Sequence, residues 1–280
     1  MNRYLKLVNF EVNRFFKLYI GLLIIVAISQ FVSLFLVKSS YMSTANDANY
    51  ASSMKATEEF IASNGLLNFN HVANHPLFIG PIVICIALMM FYVFIIWYRD
   101  YFGKNTFIYR LFMLPTSRMT IYFAKATTIL IMVLGLLAFQ LILLPIEINV
   151  FQQIVPSELL GKMNTVDLVM GPTIFQMILP SNFVDFIFRY LIGMGLVFTL
   201  FTFILLERSY RWKGILFGIL YAMAIVVLIL IPEIIQSYVF GNDFSFYPSE
   251  VIYMEIGLLA IIITGSILFS KYLLKNKVSV

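Results

Sequence analysis

The sequence predicts an all-α integral membrane protein, a bundle of six helices that cross a bilayer, and three observations predict it. Of the 280 residues, 61% are hydrophobic and only 12% are charged, with a mean hydropathy of +0.92, whereas a soluble chain is about half apolar and a quarter charged. Uncharged apolar runs of about 20 residues, the length that a ~30 Å hydrocarbon layer demands of a helix, recur from one end of the chain to the other. Lysine and arginine gather between alternate runs. The single cysteine, Cys85, lies inside one of these runs; it can form no intramolecular disulfide and reads as a small packing residue.

Residues 1–17 carry Arg3, Lys6, Arg14 and Lys17. At helical spacing Leu5, Val8, Val12, Phe15 and Phe16 fall on one side, with Lys6, Asn9, Asn13 and Lys17 opposite. That pattern predicts an amphipathic elbow helix lying in the interface. The uncharged run 18–37 is longer than the apolar core of a cleaved signal peptide and is read as the first span. Residues 38–76 are polar and predict a loop. It contains both histidines, His71 and His75, which have helical spacing but no evident third ligand, so they read as loop histidines.

The second span is 77–97, with Gly80 and Pro81 in its first turn, where proline is tolerated; Trp97 and Tyr98 mark an interface. Residues 99–125 (RDYFGKNTFIYRLFMLPTSRMTIYFAK) are too basic to lie in lipid. The third span, 126–148, carries Gln140 and Pro145 and reaches Glu147. Residues 149–189 mix charges with the stretch LVMGPTIFQMILP, which Gly171, Pro172 and Pro180 break too often for a span; they predict a second loop, partly seated at the interface. The fourth span, 190–206, leads through the basic turn 207–213 to the fifth, 214–231. A loop over 232–250 and the sixth span, 251–270, precede the tail. The whole chain reads as a single transmembrane domain.

Orientation follows from the tendency of lysine and arginine to stay in cytoplasmic segments. With both termini inside, those segments hold 15 of the 19 basic residues and three acids, Glu11, Asp100 and Glu207. The loops 38–76, 149–189 and 232–250 are then external, and the expected location is the plasma membrane. The net charge of +5 is accounted for by this asymmetry and gives no reason to propose nucleic acid.

No phosphate-binding GxxxxGKS loop, HExxH, CxxC or GxSxG turn occurs, so the chain is not expected to be an enzyme, nor to hold a metal or cofactor. The span interiors read as free of charge, with Glu147, Glu233 and Glu255 near outer ends, which disfavours an ion-coupled carrier. Gln30 and Gln140 are the notable buried polar side chains. They read as interhelical hydrogen-bond partners, with a role in a substrate pathway as the alternative.

The basic segment 99–125 resembles the stretch after the second helix in permeases of the ATP-binding cassette superfamily, specifically the type-2 exporter group. The residues that carry the likeness are Thr106, Leu111, Leu114, Pro115, Ser117, Arg118 and Lys125. The elbow, six spans and cytoplasmic ends match the family's plan as well. One departure is the run Gly103, Lys104, Asn105 where the family usually has an acidic residue before the threonine. The resemblance implies a coupling helix that docks on a separate cytoplasmic ATPase through Phe102, Thr106, Phe107, Arg110, Phe112, Pro115 and Arg118. It also implies that ATP and magnesium are held by that partner, and that a second permease copy or a related permease completes the pathway. An amphipathic substrate, such as a peptide, antibiotic or lipid, is the expected cargo. A membrane scaffold or sensor that transports nothing, and an intramembrane enzyme, are the competing classes; the enzyme would need polar catalytic groups at matching depth.

Overall fold

A computed structural model describes residues 3–48, 50–102, 107–161, 174–180, 182–235 and 248–277. The chain is an all-α, six-helix membrane bundle. The long helices are α1 (Arg3–Asp47), α4 (Pro76–Tyr101), α6 (Arg118–Ile154), α8 (Phe183–Tyr210), α9 (Trp212–Ile235) and α10 (Pro248–Asn276), and all six are long and apolar enough to cross a membrane. Short helices lie between them: α2 (Met54–Asn64), α3 (Phe69–Ala73), α5 (Phe107–Phe112) and α7 (Ile174–Ile178).

The helices overrun the apolar runs that announce them. No elbow is set off from the first span, because α1 is one helix of 45 residues, about 68 Å long at 1.5 Å per residue. Between residues 1 and 64 there is no proline and Gly21 is the only glycine, so nothing interrupts the backbone hydrogen bonding at Lys17. The helix stops at Asn46 and Asp47, residues that favour turns. Of the apolar side proposed for residues 1–17, Val8 and Phe15 are buried, whereas Leu5 and Phe16 are exposed. The buried stripe is instead Val8, Glu11, Phe15 and Tyr19, at helical spacing. Similarly, α6 spans 37 residues and runs straight past Pro145.

The expected loop 38–76 is largely helical. Ser53 caps α2, its Oγ accepting from the Ala56 N–H at 3.2 Å, and Gly65 ends the helix at φ 75° with its N–H donating to Ile61 O. Glycine adopts that φ without steric cost. The two histidines are engaged locally: His71 Nδ1 lies 3.1 Å from Asn68 O, and His75 Nδ1 accepts from the Leu77 N–H. In the expected loop 149–189, α6 continues to Ile154 and Leu160 forms an isolated bridge with Leu67. Residues 168–173 of the LVMGPTIFQMILP stretch, and residues 236–247 of the last loop, lie outside the described residues; the rest of that stretch carries the short helix α7.

The chain packs as two units. One comprises Val12–Met89 and Ile131–Ile187. Its core joins Leu34 of α1, Phe69 and Val72 of α3, Phe78 of α4, Leu144 and Phe151 of α6, and Phe175 of α7, with edge-to-face pairs at Phe69–Phe78 and Phe69–Phe151. The other comprises Met1–Glu11, Met90–Leu130 and Phe188–Val280. There Trp97, Tyr122 and Phe201 are fully buried against one another, and a hydroxyl chain links α8 to α10 and α9. Thr202 Oγ1 is 2.9 Å from Ser270 Oγ, and Tyr221 OH is 2.7 Å from Ser266 Oγ.

Candidate functional site

The site is the segment between α4 and α6 together with what holds it, all within the second of these units. Helix α5 is six residues long. Too short to be stable in isolation, it is fixed by burying Ile108 and Leu111 against Ile121, with Leu7, Tyr101, Phe107 and Phe112 packed around them. The first turns of α1 cradle it. Phe10 stacks on Phe107 at 5.6 Å and 20°, and Arg3 donates to Pro115 O at 2.5 Å. On its other flank Arg118 lies 4.8 Å above the Phe112 ring and donates to Leu274 O at 2.5 Å, tying the start of α6 to the end of α10.

The residues expected to dock a partner therefore divide into two sets. Phe107, Phe112 and Arg118 are turned inward and hold α5 in place. Phe102, Tyr109, Met113 and Leu114 are outward, with Phe102 68% and Met113 80% exposed; Arg110 and Pro115 are exposed as well. Phe102 stacks on Tyr98, and Arg208 sits over Tyr98, Tyr101 and Phe102 at 4.7–5.3 Å. Arg208 thus ties the end of α8 to the end of α4 through cation–π contacts. Thr106 lies outside the described residues.

Beneath α5 is a feature that the charge count treats as ordinary basic-loop chemistry. Lys125 is fully buried. Its Nζ donates to Glu11 Oε1 at 2.8 Å, to Ile96 O at 2.7 Å and to Asp100, and lies 5.3 Å from the Trp97 ring centre. Arg99 donates to the other Glu11 oxygen at 2.7 Å. Two acids and two bases from α1, α4 and α6 so form a neutral cluster in which all three ammonium hydrogens have acceptors. Glu11, Asp100, Lys125 and Glu147 are all buried; the first three lie just outside the spans expected from the sequence, and Glu147 lies at the end of the third. Glu11 could have been suspected from its place on the apolar stripe of α1, four residues before Phe15; its pairing with Lys125, 114 positions away, leaves no local signal.

Gln30 and Gln140 do meet. Gln30 Nε2 donates to Gln140 Oε1 at 3.2 Å, and Gln140 Nε2 donates back at 3.4 Å. A reciprocal amide pair satisfies the groups that it buries, and it acts as a clip between α1 and α6.

The fold defines a class, that of multi-pass membrane proteins. Comparison with family models, curated proteins and solved structures returns no match to the chain.

Proposed function

We propose that the chain is the membrane-spanning permease half of an ATP-driven exporter and that α5 and its flanks are where a separate cytoplasmic ATPase docks. The observation that supports this most is the outward face of a short, well-anchored helix. Phe102, Tyr109 and Met113 expose apolar surface beside Arg110, beyond what a solvated turn requires, and such surface implies a partner. The partner would carry ATP and magnesium and perform the hydrolysis. The chain would supply the pathway, pair with a second copy or a related permease, and sit in the plasma membrane with both termini cytoplasmic. An amphipathic substrate is the expected cargo.

The division of α5 residues sets the test. Replacing Tyr109 and Met113 by serine removes outward contacts while leaving Ile108, Leu111, Phe107 and Phe112 in place. Each interface anchor contributes on the order of 2 kcal/mol, so capture of the cognate ATPase from solubilised membranes should fall at least about tenfold at an unchanged membrane level of the chain. Undiminished capture would favour the scaffold or sensor reading. Replacing Phe107 and Phe112 instead strips the packing that anchors α5, and a loss seen with that pair would mix docking with folding.

A further inference from the structure

In the unit formed by Val12–Met89 and Ile131–Ile187, helix α6 buries Gln140, Leu143, Leu144, Glu147, Ile148 and Phe151 at helical spacing. Glu147 lies two turns beyond Gln140, about 10 Å along the axis, and is fully buried. Gln140 is satisfied by Gln30, whereas neither carboxyl oxygen of Glu147 has a hydrogen-bond partner among the described residues. Its neighbours on the buried stripe, Leu144, Ile148 and Phe151, belong to the apolar cluster that also holds Leu34, Phe69 and Phe78. A carboxyl group that costs desolvation and makes no bond adds nothing to the fold, and an ionisable side chain inside a membrane bundle marks a site of function.

Other polar atoms of this unit are left in the same state. Ser33 Oγ, Asn68 Oδ1 and Asn70 Oδ1 are buried without a hydrogen-bond partner among the described residues. Each belongs to a chain neighbour of a residue in the apolar cluster, Ser33 beside Leu34 and the two asparagines on either side of Phe69. All of these atoms are oxygens that accept hydrogen bonds, so the complement they lack is a donor, and at the carboxylate a cation. A tightly held metal ion would need three or four ligands, and no group of three His, Cys, Asp or Glu side chains comes together among the described residues. One carboxylate among aromatic rings fits an organic cation instead. An ammonium group brings three donors, aromatic faces attract it, and an apolar remainder replaces the packing that the cluster gives up on parting to admit it.

We propose that Glu147 and the aromatic cluster beside it form a binding site for the ammonium group of a lipophilic cation, with Glu147 as its counter-ion. Binding at this site requires nothing of the ATPase. Its place in transport rests on the permease reading, and there it narrows the cargo from an amphipathic substrate to a cationic one.

The test follows thermal unfolding of the purified full chain in detergent at neutral pH, titrated with phenylbutylammonium and, separately, with phenylbutanol, its uncharged counterpart. At about tenfold its dissociation constant the cation should raise the parent midpoint by roughly 2–5 °C, and the alcohol at the same concentration should raise it less. Glu147→Gln keeps the shape of the side chain and removes its charge. In that variant the cation concentration giving half of the shift should rise at least about tenfold, while the effect of the alcohol stays as in the parent. No cation shift in the parent, or equal cation titrations of parent and variant, would overturn the proposal and leave the unpartnered oxygens to bound water. Capture of the cognate ATPase is scored separately. Capture without a cation shift removes the site and keeps the permease reading, whereas a charge-dependent shift without capture keeps the site and removes its role in transport.

Discussion

Lys125 and Glu147 are two buried charged residues in opposite circumstances. Lys125 has three acceptors, and its removal would leave Glu11 and Asp100 close together without the ammonium that they share. Breaking a buried pair on one side costs about 3–5 kcal/mol, so Lys125→Met should sharply lower the midpoint of thermal unfolding of the solubilised chain. Glu147 is equally buried, yet neither of its carboxyl oxygens has a hydrogen-bond partner among the described residues. It contributes desolvation cost with no compensating bond. Glu147→Gln should therefore leave the midpoint unchanged or raise it, and a fall comparable to that of Lys125→Met would show that Glu147 has an ionic partner that the geometry lacks. Both residues are written plainly in the sequence. Nothing local distinguishes the one that is paired from the one that is not, because the pairing is made by helices far apart in the chain.

Among the elements, the turn between α8 and α9 is the tightest. It consists of Arg211 at φ 53°, followed immediately by Trp212 at the start of α9. A left-handed conformation costs a non-glycine residue about 1–2 kcal/mol, and a methyl group placed on Gly214 would lie 2.2 Å from Leu206 O. Arg211→Gly is expected to be neutral or stabilising by up to about 1 kcal/mol, and Gly214→Ala to be destabilising by about 1–3 kcal/mol, both read by thermal unfolding at matched detergent concentration. Equal effects of the two would mean that the turn is looser than its geometry. The cores of the six long helices were legible in the sequence because an apolar run of about 20 residues leaves few alternatives. Their ends were not. Apolarity marks where lipid begins, whereas a helix ends where a breaker or a cap stops it, and α1 meets neither until Asn46. Helix α2 was missed for the opposite reason, since its Ser53 cap and Gly65 stop bracket a polar segment with only Phe60 buried.

For the molecule as a whole, solvent is the governing fact. Ile24, Ile25 and Ile28 of α1, Ile84 and Phe91 of α4, and Leu216, Val226 and Val227 of α9 are all 52–65% exposed except as lipid covers them, a surface that water would not tolerate but a bilayer requires. The expected orientation rests on the basic asymmetry, which assigns 15 of 19 lysines and arginines to the cytoplasmic side. With Cys85 replaced, cysteines at Asn46 and Met54 should react with an impermeant maleimide in intact cells, and one at Met113 should react only after permeabilisation. Labelling at Met113 but not at Asn46 would invert the topology and remove α5 from reach of a cytoplasmic ATPase.

The sequence by itself determined the solvent, the number of spans and the expected orientation, because these depend on composition summed over windows and on the side to which charges are drawn. It also carried the pattern of segment 99–125 on which the proposal of a docking helix rests, since that lies in consecutive residues. Only the tertiary structure decided which faces of α5 point outward, that Gln30 and Gln140 satisfy each other, and that Glu11, Asp100, Arg99 and Lys125 form one cluster. Those outcomes depend on which helices come within about 3 Å of one another, and hydrogen bonds and ion pairs of that length are set by packing between distant segments.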